Sequence, residues 1–210
     1  MKIRQTLAIQ LAAVGVAAVA SLVMAPRLPA RVPIHWGISG QPDGWGSPSF
    51  ALWFGPSITL LMLGLTLGVP WLPGGKNVAR FGPTFGKTMA LISGFFAFLH
   101  IVILQATAKG GDLPTTFMVG LFLFFAALGN LMGKIRPNPY MGVRTPWTMK
   151  SERVWEATHR RAAWIFVGGG LFGAVLVALG ASIAVALPLI LLISFAPILD
   201  SYLLYRKIEG

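Results

Sequence analysis

The chain contains no cysteine. A disulfide framework, a thiolate metal site and a cysteine nucleophile are therefore excluded. Carboxylates are also scarce, with 6 Asp and Glu against 17 Lys and Arg among 210 residues. Charged residues of both signs make up only 11% of the chain, where a soluble domain carries about 25%. That leaves too little polar surface to coat a soluble globule of this size. Also missing are a His-Glu-x-x-His pair, a Gly-x-Ser-x-Gly elbow and a Walker-type loop, so no familiar protease, hydrolase or nucleotide site is spelled out.

What is abundant is apolar sequence: 55% of residues are hydrophobic and the mean hydropathy is +0.73. A window of about 19 residues resolves spans near 6–25, 50–72, 88–108, 115–133, 162–181 and 183–204, each long enough to cross a hydrocarbon core. The first follows Lys2 and Arg4 and resembles a secretory signal, but its length and Pro26 directly after Ala25 favour a retained span. The last two are joined by a short turn at Ala181 and Ser182, which predicts a tight antiparallel hairpin. The expected architecture is all-α: a polytopic six-helix transmembrane bundle with a cap loop at 26–49 and a basic loop at 134–161. The expected division is an N-terminal two-span module over 1–72 and a four-span module over 73–210.

The basic residues settle the expected orientation. Lys2, Arg4, Lys76, Arg80, Lys87, Lys134, Arg136, Arg144, Lys150, Arg153, Arg160, Arg161, Arg206 and Lys207 fall on one side of the spans, and only Arg27, Arg31 and Lys109 on the other. Basic residues resist translocation, so both termini and the 134–161 loop are expected in the cytoplasm and the 26–49 loop outside. The net charge of +11 is spread over these short loops rather than along one face, which argues against direct nucleic-acid binding.

Within the outer loop, Pro42-Asp43-Gly44 predicts a turn, and Trp36 and Trp45 suit the membrane interface. His35 and Asp43 form an incomplete metal or catalytic set, and a bracing hydrogen bond is the simpler reading. In the basic loop, prolines and glycines predict extended, turned backbone up to Thr148, then a helix capped by Thr148 or Ser151. On that helix Glu156 and Arg160 are spaced for an i, i+4 pair, and Glu152, Glu156 and His159 are expected on one face. That face invites a divalent cation, although Arg153, Arg160 and Arg161 make an ion-paired or headgroup-facing surface the expectation, with no metal or cofactor. Trp147, Trp155 and Trp164 mark interfacial depth, so residues 151–161 are expected as an amphipathic helix on the cytoplasmic leaflet. Inside the spans, His100, Asn130 and Asp200 are polar or ionisable and thus candidates for function. His100 is expected to make an interhelical hydrogen bond or to line a polar path with Asn130, and Asp200 to reach headgroups beside Arg206 and Lys207. Gly64 and Gly68, and Gly169 and Gly173, are spaced for close helix approach.

Two segments carry a family resemblance. The stretch with His35, Gly40, Pro42, Asp43, Gly44 and Trp45 resembles a small bacterial domain of unknown function. The stretch with Gly129, Asn130, Pro137, Asn138, Gly142, Val143, Arg144, Thr145, Pro146, Trp147, Thr148, Trp155 and His159 resembles the hallmark of the SdpI family, and Glu152 and Glu156 fall within the same cytoplasmic motif. The resemblance implies a protein of the bacterial cytoplasmic membrane, not an enzyme. It would confer immunity to a secreted toxic peptide met outside, relay its presence to a soluble transcriptional regulator inside, or do both. A small transporter with a polar path near His100 and an intramembrane enzyme are the alternatives from other classes.

Overall fold

A computed structural model describes residues 2–210 of the chain. The described residues form seven α-helices and one β-hairpin: α1 (Ile3–Met24), β1 (Val32–Trp36), β2 (Pro42–Gly46), α2 (Pro48–Gly68), α3 (Gly82–Ala108), α4 (Thr115–Met132), α5 (Pro146–Lys150), α6 (Glu152–Ala178) and α7 (Ile183–Ile208). Six of the helices, all but α5, are long and apolar enough to cross a membrane. Their alternation puts both termini, the 69–81 connection and the 133–151 loop at one end, here called the basic end. The β-hairpin and the 109–114 connection lie at the other, the hairpin end.

Helix α1 is packed by small and polar residues, with its large apolar side chains turned outward, while larger side chains such as Phe122, Leu104 and Ile193 fill the bundle elsewhere. On α1 the buried residues are Thr6, Gln10, Ala13 and Ala17, one face at helical spacing, while Leu11, Val16, Val19 and Leu22 are exposed. This inversion follows from the solvent. Lipid tails are as apolar as leucine, so helices associate through close backbone approach and hydrogen bonds rather than by burying leucines. The Gln10 amide donates to Ser93 Oγ on α3 at 3.0 Å. Helix α1 packs on α2 and α3, α4 on α6, α6 on α7, and α3 on α4 joins the two groups.

The α4–α6 contact is a backbone approach. A Cβ on Gly170 would lie 2.6 Å from the Phe122 carbonyl oxygen, and one on Gly129 would lie 2.8 Å from the Val167 nitrogen. Gly173 faces the Phe122 ring and Gly169 faces Ile193 of α7. Gly64 and Gly68 have nothing within 4 Å, so the expected close approach along α2 is not made there. The close glycine of α2 is Gly55.

The segment 151–161 is the start of the fifth span itself, continuous within α6, and not a helix set apart on the membrane surface. The short helix before it is α5. Helix α6 ends in a turn with Gly180 at φ +98° and is followed at once by α7, the expected tight hairpin.

Candidate functional site

At the hairpin end, β1 and β2 pair antiparallel, with Val32 opposite Gly46 and Trp36 opposite Pro42. The expected turn at Pro42-Asp43-Gly44 is instead part of strand β2. The chain reverses over 37–41, where Gly37 and Gln41 close the loop through a 3.0 Å backbone bond and Gly40 adopts φ +83°. Gly44 is needed for space: a Cβ there would sit 2.9 Å from His35 Cβ. The His35 and Asp43 side chains, both well exposed, hydrogen-bond at 2.5 Å and brace the two strands.

The hairpin is held against the 109–114 connection. Trp36 Nε1–H donates to the Gly111 carbonyl at 2.7 Å, and Leu113 N–H donates to the Gly40 carbonyl at 3.0 Å. Trp45 projects with 48% of its surface exposed. Beneath the hairpin lies a cavity of about 170 Å³, walled by Pro33, Trp36, Phe50, Phe54 and Ile103, with His100 on its inner side.

His100 is buried between α1, α2 and α3. Its Nε2 lies 2.8 Å from Ser21 Oγ, and the Ser21 hydroxyl is 2.6 Å from the Leu52 carbonyl. That carbonyl is the one freed by Pro56, which has no N–H to offer the residue four positions back. The Ser21 hydroxyl also lies 3.1 Å from the Ala17 carbonyl of its own helix, so one serine meets a carbonyl on each of two helices and the imidazole of a third. The His100 ring lies flat against Gly55, where a Cβ would be 2.2 Å from Cγ. Asn130, by contrast, is exposed near the basic end of α4, so the expected path shared by His100 and Asn130 is not formed: the two are at opposite ends of the bundle.

At the basic end, the motif residues are consumed in building a loop. Asn138 is buried and uses every hydrogen-bonding site it has. Its amide donates to the carbonyls of Arg136 (2.8 Å) and Met141 (3.1 Å), and its Oδ1 accepts the N–H groups of Tyr140 (2.8 Å) and Met141 (2.9 Å). Gly142 has φ +111°, and a Cβ on it would stand 2.3 Å from His159 Nε2. His159 Nε2 accepts the Val143 N–H at 3.1 Å, so its proton is on Nδ1, which donates to the Trp155 carbonyl at 2.9 Å.

Trp155 stacks on His159 with centroids 4.1 Å apart and donates Nε1–H to the Ile135 carbonyl at 2.8 Å. It is 0% exposed, so it is a core residue and not the interfacial anchor that its type suggested. Trp164 is the exposed one. Thr145 caps α5 through a reciprocal bond pair with Thr148, whose hydroxyl donates to the Val143 carbonyl at 2.7 Å. Ser151 caps α6. Pro146 starts α5, and Trp147 packs near Tyr202 of α7.

The charged residues differ from expectation in their partners. Glu152 pairs with Arg80 at 2.8 Å and Glu156 with Arg136, not with Arg160. Asp200 pairs with Arg161 of α6 at 2.5 Å, rather than reaching out beside Arg206 and Lys207. Glu152, Glu156 and His159 follow one another at helical spacing on α6, but His159 is buried in the loop while both glutamates are exposed and paired with arginines, so the three do not act together. Among the described residues no three His, Asp or Glu side chains converge as metal ligands would. Sequence reading missed Ser21, Gln10, Ser93 and Gly55. Pro56 signals a freed carbonyl, but nothing in the chain order says which helix supplies its donor.

Fold and sites together define an all-α polytopic membrane protein with a braced hairpin at one end and a hydrogen-bonded basic loop at the other. Residues 134–201 match the SdpI/YfhL protein family, and residues 12–60 match a domain of unknown function (DUF1648). The chain is 27% identical over 192 residues to a protein of Bacillus subtilis (strain 168) named Immunity protein SdpI, covering 90% of this chain and 91% of that protein. The match to the SdpI/YfhL family thus lies on the basic loop, α5, α6 and most of α7. No solved structure matches it.

Proposed function

We propose that this protein sits in a bacterial cytoplasmic membrane, with both termini in the cytoplasm, and protects the cell that carries it from a secreted toxic peptide met at the hairpin end. The observation that carries this reading is the extent of the similarity to the Bacillus immunity protein, which covers 90% of this chain and 91% of that protein. The distribution of Lys and Arg supports the orientation. The hairpin supports the peptide-contacting role, because it is pinned at Trp36 and Gly40, and a preformed surface loses little conformational freedom on binding.

A second reading, relay to a soluble regulator, is favoured by one feature. Arg153 and Arg160 stand exposed on α6 with no carboxylate partner among the described residues, and unpaired charge at a docking surface governs encounter with a partner. We also read the chain as two modules, 1–72 and 73–210.

The test is expression in a sensitive bacterium challenged with a panel of membrane-active secreted peptides. Survival against at least one is expected, and Asp43→Ala should lose that protection while accumulating normally. The His35–Asp43 pair is exposed and such pairs contribute about 0–1 kcal/mol to stability. Failure to protect against any peptide would overturn the immunity reading, and full protection by Asp43→Ala would overturn the role of the hairpin.

A further inference from the structure

Among the arginines of the basic loop, Arg136 is paired with Glu156 and Arg144 is not. Val143 is held on both sides, its N–H by His159 and its carbonyl by Thr148, and Thr145 is held by its cap and by Ser201 Oγ at 3.0 Å. Arg144 lies between these clamps, so its backbone is fixed while its side chain is exposed. It has no carboxylate. Of the six acidic residues in the chain, Asp43 and Asp112 belong to the hairpin end. Glu152, Glu156 and Asp200 are paired with Arg80, Arg136 and Arg161, and Glu209 accepts a hydrogen bond from Ser151.

Arg144 lines the mouth of a cleft of about 550 Å³ that runs from the basic loop down into the bundle. Its floor is α4 at Leu128 and Leu131, and its sides are α3 at Ile92 and α7 at Ile198. Helices α3 and α7 each pack on other members of the bundle and not extensively on one another, so the cleft separates two membrane-spanning flanks. Its volume falls in the range of about 300–1,000 Å³ usual for ligand sites. An exposed guanidinium on a fixed backbone at the headgroup level, above an apolar slot at hydrocarbon depth, is complementary to an amphiphile with an anionic head.

We propose that this cleft binds an anionic phospholipid, with the phosphate on Arg144 and an acyl chain between α3 and α7. Guanidinium recognises phosphate through paired N–H···O bonds, and basic pockets between spans are suited to anionic headgroups. The apolar walls below Arg144 favour a lipid over free phosphate, which would leave them uncovered. The family motif then acquires a purpose beyond holding its own loop: it presents one arginine to the lipid. This inference does not depend on the immunity reading.

The experiment uses the full chain purified in mild detergent and reconstituted in nanodiscs of phosphatidylcholine alone or mixed with phosphatidylglycerol. Native mass spectrometry then counts retained lipid, and thermal unfolding is measured in parallel. Retention of phosphatidylglycerol is expected, with stabilisation over phosphatidylcholine. Arg144→Gln should weaken retention about tenfold or more, the change that loss of a charge-assisted hydrogen bond produces. Arg153→Gln, an exposed arginine outside the cleft, should retain lipid as the parent does. Ile92→Trp should expel the lipid by filling the slot while leaving Arg144 in place. Equal losses in Arg144→Gln and Arg153→Gln would overturn the site, since attraction would then be to the basic surface as a whole. Stabilisation by inorganic phosphate with none by phosphatidylglycerol would also overturn it.

Discussion

The Ser21 hydroxyl donates to the Leu52 carbonyl at 2.6 Å and so satisfies the acceptor that Pro56, one turn further along α2, leaves open. The same oxygen lies 2.8 Å from His100 Nε2, which joins three helices through one serine. A proline inside a membrane helix exposes a carbonyl that hydrocarbon cannot solvate, and here the neighbouring helix supplies the donor.

Ser21→Ala should lower stability by about 1–2 kcal/mol, between the small average of interhelical hydrogen bonds in membranes and the full cost of an unpaired buried acceptor. Pro56→Ala restores an N–H to the Leu52 carbonyl, so Ser21→Ala should cost clearly less in that background. A double-mutant cycle by chemical or thermal unfolding in detergent measures the difference, and equal costs in the two backgrounds would refute the coupling.

Two glycines of α2 should behave oppositely. Gly55→Ala places a methyl group inside the His100 ring and should destabilise by about 1–3 kcal/mol, as overpacking does. Gly64→Ala meets nothing within 4 Å and should be neutral or stabilising by up to about 1 kcal/mol. Unfolding midpoints of the two variants, measured side by side, decide it.

The absence of native cysteine makes orientation directly measurable. Ser39→Cys in the hairpin loop should label with an impermeant thiol reagent in intact cells, and Lys150→Cys only after permeabilisation. Lys150 is exposed, whereas Thr145 nearby is buried and caps α5, so a thiol at Thr145 would test folding instead. Labelling of Lys150→Cys in intact cells would reverse the assigned topology.

Trp155 and Arg153 separate building the basic loop from signalling through it. Trp155→Ala should destabilise by about 3–5 kcal/mol, typical of a large core aromatic, and accumulation in the membrane should fall. Arg153→Glu should change stability by no more than about 0.5 kcal/mol and leave accumulation and protection intact. Loss of a co-purifying soluble regulator in Arg153→Glu alone would support the relay, and poor accumulation of that variant would show that Arg153 belongs to the fold.

Much of the architecture was legible from chain order because the bilayer imposes a length and polarity that local sequence must meet. Runs of about 20 apolar residues mark the six spans whatever their neighbours, and the turn at Ala181 and Ser182 follows from two spans meeting with no room between them. The lopsided Lys and Arg count bears on orientation for the same local reason. Partners were not legible, because packing inside a membrane depends on which helix faces which. Trp155 and Trp164 are alike by type, yet one is the centre of the basic loop and the other faces outward. Glu156 had an arginine in its own helix at the favoured spacing and took Arg136 from the preceding loop instead. Pro42-Asp43-Gly44 had the composition of a turn and became a strand, since Gly44 was needed for close approach to His35. Only the tertiary structure decided that the motif closes on itself through Asn138, Gly142 and His159 and leaves Arg144 free. Hydrogen-bond closure between residues far apart in sequence is a property of the folded bundle, and no local pattern encodes it.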